Sequence, residues 1–215
     1  MEIKVPTNIN DIPLSEYQRY AKVNIEDADK EFLLHKTIEI FCEMDIRDVA
    51  KLPIRTATDL LEEINSVLEQ DAPHTRRMVL EGREYGFIPD LAAMTLGEYV
   101  DLEDGIKDVS QFHKAIAVLY RPIVKQHKDL YTIEPYSASP QAHELMKSAP
   151  FGEVSAALVF FYRIAKELSQ ASPRYLKTME EKNKTTLEEV NSTLSTDGLT
   201  ASMHLLKEEP LTTVK

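Results

Sequence analysis

The chain is short of cysteine, glycine and positive charge, and each shortage closes off a class of function. A single thiol, Cys42, cannot form an internal disulfide or supply the paired thiolates of a zinc cluster. No cross-link therefore reports on the redox state of its compartment. The six glycines include neither the Gly-Lys-Ser/Thr of a P-loop nor Gly-x-Gly-x-x-Gly, so no phosphate cradle is encoded. The 25 basic residues against 36 acidic ones leave a formal charge of −11. That field opposes nucleic acid, which is bound chiefly by Lys and Arg displacing phosphate counterions, and no locally basic face offsets it. Long apolar runs are missing too. The most apolar segment, 156–162, is followed by Arg163 and Lys166, far short of the roughly 20 residues of a membrane span. The first thirty residues hold no secretory or transit signal, so the expected setting is cytoplasm. A hydrophobic content of 43% over 215 residues is still enough to build one main domain with an appendage.

Punctuation and periodicity divide the chain. Residues 1–13 hold Pro6, Pro13 and several Asn and Asp, which suits an extended arm. Helices are predicted over 14–22 and 27–44, the second with Leu34, Ile38, Phe41 and Cys42 in register. Two more follow at 45–52 and 57–70, the latter with Leu60, Leu61, Ile64, Val67 and Leu68 on its apolar side, and Pro53 and Pro73 punctuate them. Residues 77–88 form two short apolar runs around Glu81-Gly82, the pattern of a small β-hairpin. Thr95-Leu-Gly-Glu98 has the spacing of a capping box at a helix start. The next helix places Val109, Phe112, Ile116, Leu119 and Tyr120 on one side and should stop before Pro122. Residues 130–136 suit a lone strand or an extended connector.

The strongest helix spans 151–170. Val154, Leu158, Phe161, Ala165 and Leu168 recur at intervals of four and three, and Val159 and Phe160 widen the stripe, as in a central element or a partner-binding surface. Beyond about Lys184 the aromatics vanish while Ser and Thr crowd in, which predicts a flexible or partner-docked tail over 184–215. Within it Leu199, Leu205 and Leu206 are apolar anchors. The expected fold class is therefore mainly α: a bundle-like helical domain over 14–183 with one hairpin, flanked by the arm and the tail.

Motifs that carry chemistry are weak. Residues 45–64 have the look of a helix-turn-helix, but the would-be reading helix, 57–70, carries Asp59, Glu62, Glu63 and Glu69 and no Lys or Arg. Carboxylates there would be repelled by the phosphates beside the major groove. In Asp101-Leu-Glu-Asp104-Gly105 the glycine falls one place early for an EF-hand, and Ile106 occupies the glycine position. The six histidines contain no pair four apart and no His-Glu-x-x-His. There is no Gly-x-Ser-x-Gly elbow, and Cys42 lies in an apolar stripe where it would pack rather than react. Adjacent acidic pairs such as Glu62-Glu63 point about 100° apart on a helix and do not share a proton. No catalytic, cofactor-binding or metal-ligating residue is assigned and no cofactor is expected. The candidate partner-binding residues are Val154, Leu158, Phe161, Leu168, Leu199, Leu205 and Leu206.

Three segments carry a resemblance: Met-Thr-Leu-Gly-Glu-Tyr-Val-Asp-Leu-Glu-Asp at 94–104, Ala-Ile-Ala-Val-Leu-Tyr-Arg-Pro-Ile at 115–123, and Ala-Leu-Val-Phe-Phe-Tyr-Arg-Ile-Ala-Lys-Glu-Leu at 157–168. Together they resemble small helical proteins of tailed bacteriophages, and among these most of all the tail assembly chaperones. The likeness spans roughly 76–176 and leaves the first seventy-five residues outside it. It implies a non-catalytic protein that shields hydrophobic segments of a tape-measure protein in the host cytoplasm, or alternatively a structural component of neck, capsid or tail retained in the virion. The partners implied are other phage structural proteins and further copies of the chain, with no direct contact to nucleic acid or membrane. A helix-turn-helix regulator is the alternative from another class, and an enzyme with a site assembled from distant residues is the third.

Overall fold

The hairpin forms where the sequence predicts it. Strands β1 (Arg77–Leu80) and β2 (Arg83–Phe87) pair antiparallel with Leu80 opposite Arg83, and the two turn residues, Glu81 and Gly82, take φ of 49° and 77°. Positive φ at both central positions gives the turn whose twist matches that of the strands. The computed structural model describes residues 3–24 and 29–171, without the side chains of Asn24, Ala165 and 167–171. The proposed tail, 184–215, lies outside them.

The expectation of a mainly α bundle is overturned, because the hairpin is only half of a sheet. Strands β3 (Tyr120–His127) and β4 (Leu130–Ile133) complete a four-stranded antiparallel meander in the order β1-β2-β3-β4, and the fold mixes α and β. The helical period through Phe112, Ile116 and Leu119 overran the true boundary by one residue: the helix ends at Leu119, and Tyr120 is already extended (φ −113°, ψ 123°). Pro122, expected to follow a helix stop, lies inside β3. It is tolerated because it sits opposite Tyr85 at the last pair of the β2–β3 ladder, where its missing N–H interrupts little. Its carbonyl still accepts from the Glu134 N–H at 2.9 Å. A register shift between Ile123 and Lys125 then bends β3, as bulges do. The bend brings β4 back over β2, so 130–133 is a paired strand and not a lone one.

Eight α-helices accompany the sheet among the described residues: α1 (Leu14–Asn24), α2 (Lys30–Phe41), α3 (Ile46–Val49), α4 (Ile54–Leu68), α5 (Leu96–Ile106), α6 (Phe112–Leu119), α7 (Pro140–Met146) and α8 (Phe151–Ala171). The capping box at Thr95 and Glu98 forms as read. Helix α7 was not foreseen, although Ser139 caps it and Pro140 opens it, a recognised start pattern. One core joins the layers, with Ile38, Ile64, Leu102, Ile116, Leu119 and Leu158 almost fully buried. Helices α5 and α6 meet at Gly105, where a Cβ would stand 2.7 Å from the backbone nitrogen of Ala115.

The segment ahead of α1 is extended except for a 3-10 turn at Ile9–Asp11, and it is built into this core. Ile12 and Leu14 are fully buried. The Leu14 N–H donates to the Ala149 carbonyl, and the Phe151 N–H donates to the Ile12 carbonyl, both at 2.8 Å. These bonds fix the first residues of the chain to the start of α8.

Candidate functional site

Helix α5 buries the charged Glu98 together with Leu102 and Ile106, and leaves the apolar Leu96 and Val100 exposed. On the inner side, the Thr95 N–H donates to Glu98 at 2.6 Å, and the other Glu98 oxygen accepts from Arg121 of β3 at 2.7 Å. The two charged side chains are only 8% and 10% exposed. Near this pair on α5, Asp101 accepts from the Tyr136 hydroxyl at 2.8 Å. Glu98, Arg121 and Tyr136 line an open recess of about 490 Å3 together with Ile88, Pro89, Ile133 and Pro135.

Burial works to raise the Glu98 carboxyl, but the Thr95 N–H and hydroxyl and the Arg121 guanidinium outweigh it and hold the group below the ordinary carboxylate range. Burial, then the bond to Asp101, pushes the Tyr136 hydroxyl upward. Glu98 and Tyr136 are thus each moved away from neutrality, whereas a general acid or base needs a pKa near its working pH. The arrangement is suited to holding α5 on the sheet.

The outer face of α5 has a different character. Leu96 and Val100, one helical turn apart, are 79% and 44% exposed. On α8, burial raises the Tyr162 hydroxyl, and the charges of Tyr99 and Glu103 on α5 add to the effect. In this stretch of α8, Val159 is exposed, while Phe160, Phe161 and Tyr162 are half-buried against the core.

The residues singled out from sequence therefore separate. Val154 and Leu158 are 1% and 0% exposed, so the first half of the stripe is spent on the chain's own core. Phe161 is half-buried at the margin. Leu168 belongs to α8 but its side chain is not among those described, and Leu199, Leu205 and Leu206 lie outside the described residues. Leu96 and Val100 were missed. Their four-residue spacing was visible, but periodicity alone does not say which apolar positions stay wet.

The competing motifs resolve in the same way. Helix α3 has only four residues, and α4 begins three residues earlier than expected, which adds Arg55 to it. Its solvent side nonetheless carries Asp59, Glu62 and Glu63. The segment 101–105 is helical, with Gly105 packed on Ala115 and no loop to wrap a cation. Among the described residues no three His, Cys, Asp or Glu side chains gather where they could hold a metal ion. Cys42 is buried, and burial, helped by Glu63 and Glu16, pushes its thiol up to about 11, away from a reactive thiolate. Among the described residues no helix is long and apolar enough to cross a membrane. No family model, curated protein or solved structure matches the chain.

Proposed function

We propose that the protein acts by binding other proteins, as a non-catalytic assembly factor of a tailed bacteriophage in the manner of a tail assembly chaperone. The observation that carries this reading is the pair of exposed apolar side chains Leu96 and Val100 one turn apart on α5, with Val159 of α8 also exposed. Isolated exposed apolar residues are ordinary, but two stacked on one helix face offer a contact stripe to a partner. Two of the three segments that resemble phage chaperones, 94–104 and 157–168, supply these side chains. The partner would be an apolar helical stretch of a tape-measure protein, met in the host cytoplasm during tail construction.

The test is co-expression of the full chain with the tape-measure protein of the same genome. The proposal expects the tape-measure protein to remain soluble and to co-purify with the chain. A tape-measure protein that aggregates equally with and without the chain would overturn it. Absence of the chain from purified particles would favour a chaperone, and stoichiometric presence a neck, capsid or tail component.

A further inference from the structure

Gln18 on α1 and His113 on α6 are 6% and 7% exposed, and they meet where α1 packs against the 3-10 turn Val109–Gln111 that precedes α6. The Gln18 side-chain nitrogen donates one hydrogen to the Val109 carbonyl at 2.8 Å and lies 3.1 Å from His113 Nδ1. The Val109 carbonyl can only accept, so it fixes the orientation of the amide. Turning the amide over would set two oxygens against each other. With nitrogen facing the ring, Nδ1 must accept, and the neutral histidine must carry its proton on Nε2. Protonation would then put an N–H on Nδ1 opposite another N–H. Flipping the glutamine would satisfy the imidazolium but turn the amide oxygen against the Val109 carbonyl, which would keep only its bond from the Phe112 N–H. Either way one buried hydrogen bond is lost, and a buried polar group without a partner is costly.

We propose that the Gln18–His113 contact is an acid-released latch, which holds α1 on α6 while His113 is neutral and loosens α1 when it is protonated. The charged and titratable groups bearing on the ring are Lys114 on its own helix and His143, Glu144 and Lys147 from the α7 region. Burial first, then Lys147, Lys114 and His143, oppose the imidazolium, while Glu144 favours it. Glu144 is itself tied to the Lys147 ammonium at 2.8 Å. From α1 the ring meets the neutral Gln18 amide, itself bonded to the Val109 carbonyl of the 3-10 turn. The usual response of a histidine to mild acid is therefore converted into loss of a helix contact. Loosening α1 would also uncover Tyr17, whose ring stacks on Phe151 at the start of α8 with centroids 3.6 Å apart. Acid would thus expose apolar surface at the start of α8.

Hydrogen exchange on the full chain tests the latch. Between about pH 7.5 and about pH 5.5, after correction for intrinsic exchange, amides of 14–24 should lose about tenfold more protection than those of α5. His113→Asn places an acceptor where Nδ1 stands and does not titrate, so it should abolish the selective loss. Nitrogen shifts of the wild-type imidazole supply a measurement that needs no variant: the proton should be on Nε2 at neutral pH, and ring titration should coincide with loss of α1 protection. A proton on Nδ1 at neutral pH, or protection lost evenly across all helices, would overturn the proposal.

Discussion

Gly86 of β2 and Tyr131 of β4 compete for one volume: a Cβ on Gly86 would lie 2.3 Å from Cε2 of the tyrosine ring. The ring cannot easily retreat, because its hydroxyl stands 2.7 Å from the Phe87 carbonyl and 3.0 Å from that of Arg76. Glycine at 86 is what lets β4 fold across β2. Gly86→Ala should destabilise the domain by about 1–3 kcal/mol, the usual cost of overpacking. Tyr131→Ala removes the obstacle together with its bonds, so the double variant should cost less than the sum of the single ones. Urea denaturation of the four proteins checks this, and strict additivity would mean that the two residues do not touch.

The Glu98–Arg121 pair gives a second expectation. Arg121→Ala leaves a buried carboxylate with its guanidinium gone, which should cost about 3–5 kcal/mol. Replacing both, as Glu98→Leu with Arg121→Met, removes the stranded charge and sacrifices mainly the capping-box bond, worth about 1 kcal/mol. The double variant should therefore be the more stable of the two in chemical denaturation. The reverse order would place the pair in water.

How much of this was legible follows from which residues carried local signals. Glu81-Gly82 and Thr95-x-x-Glu98 encode their turn and cap within four residues, and both formed as read. Ile12-Pro-Leu-Ser-Glu-Tyr17 and Met94-Thr-Leu-Gly-Glu-Tyr99 share Leu-x-Glu-Tyr, and each leucine opens a helix. Strand β3 was hidden because Tyr120 extends the helical period of α6 and Pro122 looks like a stop. Its remaining residues, from Lys125 to His127, are exposed and show no alternation. The Glu98–Arg121 pair joins residues 23 apart, and the Gln18–His113 contact residues 95 apart. Neither leaves a trace in local spacing.

Acid should weaken the fold through its histidines. The imidazoles of His74, His113 and His143 are all pulled below the ordinary value, in each case by burial first. A base whose folded pKa is depressed binds its proton more readily when unfolded, so its contribution is present above the unfolded value of about 6.5 and declines as pH falls through the folded one. The melting temperature should fall below about pH 6.5, before the carboxylates titrate. A flat profile from neutrality down to the carboxylate range would contradict the burial of these rings.

Glu153 behaves in the opposite sense. Burial raises its carboxyl, and one of its oxygens is buried without a hydrogen bond. A raised folded pKa favours the fold at low pH, and that benefit disappears as pH rises through it. Glu153→Gln should raise the melting temperature near pH 7 and gain little near pH 4, where the wild-type side chain is itself largely protonated. Equal gains at both pH values would place this carboxylate in free solvent.

If the exposed face of α5 binds another protein, the double variant Leu96→Asp/Val100→Lys should lose that binding and keep its fold. Leu96 stands largely in water and Val100 nearly half so, and the new residues form a favourable i,i+4 pair on the helix, so the domain should melt as before. Burying one leucine-sized side chain is worth about 1.5–3 kcal/mol, so removing it from an interface should weaken association by at least about tenfold. Titrating the wild-type and variant chains against the purified tape-measure segment by calorimetry measures this. A tenfold or greater loss with an unchanged melting temperature is the result expected. Equal affinity of wild type and variant would show that this face is not the binding surface.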